Sequence, residues 1–202
     1  MKSAGIVLIS AAGLVAGILL YEALKPSPLH APDPAIVQAR VDRLEAEARR
    51  AHPGMAPSEA MKEVALRQAR EAMAQGDAKT RAQKAAGIFF GAYVMNTRAR
   101  PTWCRQRGVD LTPFANAYTS LHRDELARTQ AIFAEAGLNP DTFIAPLEAQ
   151  FVPMVEQNMR DVANGAGVPL DKACTLFNEK AQQIAQAMTV PQEVKQALLA
   201  PR

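Results

Sequence analysis

From Pro34 to the C-terminus, apolar side chains in this 202-residue chain return every three or four positions and are nowhere sustained in twos. That period belongs to helices with one buried face, and the missing period of two argues against strands. The expected domain is all-α, with about six to eight helices. After Asp33-Pro34, a capping residue and a first-turn proline, Val37, Val41, Leu44 and Ala48 form one stripe that ends at His52-Pro53-Gly54. Residues 58–75 read as a second helix, capped by Ser58, with Met61, Ala65, Ala69 and Met73 on one face. A third starts at Asp77 and carries "AAGIFFGAYVM", which at 11 residues suits a central core helix and is too short to cross a bilayer.

The punctuation beyond it predicts the remaining elements. Arg100-Pro101 should break the third helix, since proline removes a donor and restricts the residue before it. A short turn holding Trp103 and Cys104 then leads to Gly108. One long helix is expected from Thr112, as cap, to Gly137, with Phe114, Tyr118, Leu121, Glu125, Thr129 and Phe133 on its stripe. Pro146 and Pro153 should divide residues 140–163 into two short or kinked helices, and "NGAG" at 164–167 reads as a turn. Pro169 opens a helix to about Met188, and Pro191 a last one carrying Val194, Leu198 and Leu199.

Ahead of all this stands an uncharged run of 19 residues, Ser3 to Tyr21, preceded by Lys2. About 20 residues cross a hydrocarbon core, so residues 1–24 are read as a transmembrane anchor or uncleaved signal. Tyr21 at the −3 position of the nearest small-residue site disfavours cleavage. Residues 25–34, "KPSPLHAPDP", hold four prolines and read as an extended spacer. Residues 35–76 form a charged, alanine-rich helical hairpin and residues 77–202 the core domain. Charge near the anchor favours the N-terminus inside and the domain outside, an inner-membrane protein with its domain in the periplasm. The alternative is a periplasmic or secreted domain released by cleavage. Gly13 and Gly17 have the spacing that lets membrane helices approach, so a homo-oligomer through the anchor is a further possibility.

The two cysteines, Cys104 and Cys174, are expected to pair in that oxidising space. The loop they close is worth on the order of 4 kcal/mol in the chain-entropy description.

Chemistry is harder to find. The three histidines, His30, His52 and His122, have no nucleophile with elbow glycines, and neither GxxxxGK nor GxGxxG occurs. His122 and Glu125 stand three apart but offer only two metal ligands, so no metal and no cofactor is expected. Beyond residue 25 the chain carries 21 basic and 19 acidic residues, a balance that argues against a nucleic-acid partner. The densest local charge is "NTRARPTWCRQRG" at 96–108, where Arg98, Arg100, Arg105 and Arg107 surround Trp103. It reads first as a structural corner, with Trp103 in the core beside Cys104 and the arginines at helix ends. It reads second as a patch for an anion or an acidic partner.

The function expected on these grounds is non-enzymatic. It is a membrane-anchored, exported interaction module with a protein partner in the cell envelope, an assembly factor or chaperone-like adaptor. The competing expectation is an enzyme or ligand-binding domain with a site assembled from scattered residues such as Tyr93, Arg98, His122 and Glu125.

Overall fold

The computed structural model describes residues 34–201. The expected anchor with Gly13 and Gly17, and all but the last residue of the spacer, lie outside the described residues. Within them, no helix is long and apolar enough to cross a membrane.

The described chain is all-α. Helices α1 (Pro34–Ala51) and α2 (Pro57–Ala74) form a hairpin. Helix α3 (Ala78–Val94) runs into a π-helical turn (Met95–Ala99) and then α4 (Arg100–Arg105). Next come α5 (Thr112–Leu121), α6 (Arg123–Glu135), α7 (Asp141–Ala166), α8 (Leu170–Glu179), α9 (Ala181–Ala187) and α10 (Gln192–Leu199). Helix α3 is the axis. From Lys84 to Met95 only Tyr93 is not buried, because α2, α6, α7 and α10 pack around it. Val41, Leu44 and Ala48 of α1 and Val64, Ala65 and Ala69 of α2 belong to the same hydrophobic core as Phe89, Trp103 and Phe177, so the hairpin is part of one packed body.

Several local expectations are corrected. Helix α2 starts on Pro57 with Ala56 as its cap residue, rather than on Ser58. Asp77 does cap α3, accepting from the Thr80 N–H at 2.7 Å. Thr112 is the first residue of α5 and not its cap: Asp110 accepts from both its N–H (3.0 Å) and its hydroxyl (2.7 Å). Arg100-Pro101 does not end the helical run. The Arg100 N–H reaches five residues back to the Met95 carbonyl, and this wider turn restarts the helix with Pro101 in its first turn. Side chains serve carbonyls there: Asn96 Nδ2 donates to Ala92 O (2.9 Å) and Thr97 Oγ1 to Tyr93 O (2.8 Å).

Two expected long helices are broken where no proline or glycine stands. The 112–137 run divides at His122 and the 169–188 run at Lys180. Conversely, α7 continues for 26 residues through Pro146 and Pro153 and past "NGA", ending on Gly167 at φ +66°. A proline inside a helix costs about 3 kcal/mol. Here Phe151, Val155, Met159 and Val162, all buried, keep one continuous inner face across Pro153, and burying them offsets that cost. Leu121 and Leu199, expected on inner stripes, are exposed.

The disulfide is present. Cys104 of α4 and Cys174 of α8 are joined, both fully buried, with Cα atoms 5.8 Å apart. It ties α4, and the π turn before it, to α8, 70 residues on in sequence.

Candidate functional site

The arginine-rich segment divides between inside and outside. Arg98, Arg105 and Arg107 are exposed, while Arg100 and Trp103 are buried. Spacing on the helix explains the division: Arg100 is four residues before Cys104 and so shares its inward face. Arg107 lies flat on Trp103, its guanidinium carbon 3.5 Å from the ring centre, and donates to the Trp103 carbonyl at 3.1 Å. Acids adjoin the outer arginines. Glu156 is held below its usual range first by its hydrogen bond from Arg160 and further by Arg107, and Asp110 feels Arg105. The outer face is thus locally mixed in charge.

Arg100 is the unusual member. Its Nη1 donates to Asn158 Oδ1 at 2.8 Å and meets the Met159 sulfur at 3.0 Å, and its Nε donates to Asn96 Oδ1 at 3.3 Å. The guanidinium lies over Phe177, 4.6 Å from the ring centre. No carboxylate stands among these partners, and Nη2 makes no hydrogen bond among the described residues. Burial alone pushes its pKa down to about 9, with the nearby Tyr118 acting the other way. Tyr118 is itself pushed far up by burial, against a hydrogen bond with Asn96.

Tyr118 continues the line into a second polar cluster. Its ring centre is 4.4 Å from that of His122, which also faces Phe89 edge-on. His122 Nδ1 is 4.0 Å from Glu125 Oε1, and Lys195 of α10 reaches the same oxygen at 2.7 Å. Burial opposes the charge of Glu125, but the Lys195 hydrogen bond and charge outweigh it and hold the carboxyl below its usual range. Burial lowers the His122 pKa, against the favourable field of Glu125 and the Ala185 backbone. Of the residues named for an assembled site, Tyr93 and His122 both contact Tyr118 and Glu125 sits beside His122, whereas Arg98 points outward. Aromatic rings fill the space between them.

This cluster predicts a pH dependence. The unfolded chain takes up a proton near the ordinary histidine value of 6.5, the folded one only at lower pH. The contribution of neutral His122 is therefore complete above 6.5 and is lost as pH falls from there through the folded pKa. Glu125 acts in the same direction lower down: its contribution is complete above 4.5 and is lost as pH falls through its depressed folded pKa. Thermal melts are expected to fall in midpoint between pH 7.5 and 5, and His122→Gln to flatten that slope. An unchanged slope in the variant would remove His122 from the account.

The open surface lies elsewhere. A groove of about 410 Å³ runs between the end of α1, the 52–57 connection, the start of α2 and Gln157 of α7. Glu45, Arg49 and His52 line it with Met55 and Met61, and Met55 is 42% exposed. The groove was not foreseen. Its signal in the sequence is "HPGMAPSEAM" at 52–61, a turn with a methionine on either side of a helix start. Among the described residues no group of three His, Cys, Asp or Glu side chains could hold a metal ion.

Comparison with protein-family models, with curated proteins and with solved structures finds no match for this chain.

Proposed function

We propose that this chain is a tethered, non-enzymatic interaction module, carried across the inner membrane by residues 3–21 and holding a disulfide-closed domain on the periplasmic side, where it engages a protein of the cell envelope. The observation that carries the reading is the contrast between its polar residues. Those with chemical potential, Arg100, His122 and Glu125, are engaged inside the core, while the groove at the hairpin end lies open with Met55 at its lip. Exposed methionine suits a contact face, because its flexible, polarisable side chain adapts to a partner. The buried Cys104–Cys174 bond agrees with an oxidising compartment, and four prolines between anchor and domain supply reach.

The test uses the full chain in living cells, with a photo-crosslinking amino acid at Arg49 on the groove or at Arg123 on α6. Capture of a discrete envelope protein from position 49 only, abolished by Met55→Asp, is the expected result. Identical products from both positions, or none from 49, would overturn the assignment of the groove.

A further inference from the structure

From the donors gathered at the hairpin end, we infer that the groove binds a soft monovalent metal ion of the Cu(I) type, held by the imidazole of His52 and the thioethers of Met55 and Met61. The three side chains line one groove. His52 and Met55 are the ends of a tight turn, closed by the Met55 N–H to the His52 carbonyl at 3.1 Å, which keeps their Cα atoms within about 7 Å. Met61 stands one turn into α2, partly buried against the core and so fixed at its base. Among the described residues the His52 ring makes no hydrogen bond that would occupy it.

The donor set decides the class of ion. Thioether sulfur is a soft, neutral ligand that selects Cu(I), and imidazole accompanies it readily. Zinc favours thiolates, imidazoles and carboxylates; the described residues hold no free cysteine, and only His52 and Glu45 would serve it here. Glu45 is moreover near Arg49, 3.7 Å away, which leaves the groove close to neutral. Two neutral sulfurs and one imidazole lining the same groove would supply three ligands suited to a single positive charge. Exposure of Met55 gives the ion its way in. Of the other described methionines, Met73, Met95, Met159 and Met188 are buried and Met154 of α7 is partly buried against the core, and none of them lines the groove.

The probe is Ag(I), which has the same charge and softness and undergoes no redox change. It is titrated into the full chain in detergent micelles, with the disulfide intact and chloride absent. Methionine methyl resonances and calorimetry are read together. Saturation at one ion per chain is expected, with two methyl signals shifted, the two missing from Met55→Leu and Met61→Leu. The double variant M55L/M61L should bind at least about 100-fold more weakly, above the usual effect of outer-shell changes, while melting as wild type does. His52→Asn should weaken binding to a smaller extent. Equal affinity in wild type and M55L/M61L, or shifts confined to other methionines, would overturn the inference, as would a Zn(II) site depending on Glu45. The inference uses the groove on which the partner reading rests, and the two fail separately. Partner capture at position 49 without Ag(I) binding sinks only the metal site, and Ag(I) binding without capture sinks only the partner.

Discussion

Replacing both cysteines, C104A/C174A, is expected to lower stability by about 4 kcal/mol, because the bond closes a loop with a sequence separation of 70. For a domain of this size that corresponds to a fall of roughly 8–16 °C in thermal midpoint. The reason it should act so strongly is where the bond sits. Cys104 is one residue from Trp103, and Cys174 is three from Phe177, the ring that meets both the Arg100 guanidinium and, edge-on at 4.9 Å, Phe114. Loss of the tie frees α8 from α4 and lets water reach Trp103, Arg100, Phe114 and Phe177. Trp103, now buried, should then show red-shifted fluorescence at temperatures where the oxidised protein is still native. A midpoint within 2 °C of wild type would mean that packing alone holds α4 on α8.

The second large effect concerns Arg100, and it is asymmetric. Asn158→Leu removes the oxygen that receives Nη1 at 2.8 Å and leaves a buried cation with fewer partners. Its expected cost is about 3 kcal/mol or more. Arg100→Met removes the cation and its desolvation penalty but takes a donor from the buried Asn96 and Asn158 oxygens, so its cost should be about 1–2 kcal/mol, below that of Asn158→Leu. The double variant should then be more stable than Asn158→Leu alone, which a double-mutant cycle on melting curves would show. If Arg100→Met costs as much as Asn158→Leu, the guanidinium contributes more through its amide and aromatic contacts than it loses by leaving water.

How far these features could be read beforehand depended on their range along the chain. The stripe Val41–Leu44–Ala48, the Asp77 cap and the Cys104–Cys174 pairing follow from spacing and composition. Burial of Arg100 was also legible in principle, since a paired Cys104 must face inward and Arg100 lies four residues before it. Neither reading of the segment, arginines at helix ends or arginines in an anion-binding patch, took account of that phase. The breaks at His122 and Lys180 were not legible, because neither residue disfavours helix. At His122 the ring settles between Tyr118 and Phe89 while Glu125 and Lys195 gather beside it, a partnership 70 residues apart in sequence. Pro146 and Pro153 do not divide α7, for the reverse reason: a local penalty is outweighed by an inner face whose partners lie on α3, α4 and α8. Lys84 gave no sign of its place either. It is buried inside α3 and closes the end of α2, donating to Ala72 O and Gln75 O at 3.1 Å each.

Helix α10 carries a consequence for how such a protein is made. Val194 and Leu198 are fully buried against the centre of the fold, Lys195 reaches Glu125, and Arg128 Nε donates to the Leu198 carbonyl. Chains are synthesised from the N-terminus, so α3 waits with one flank bare until Val194 and Leu198 have emerged. Both sulfurs emerge before that flank is covered. The bond between them can therefore form on an unfinished domain, and completion of the core afterwards seals it from reductants.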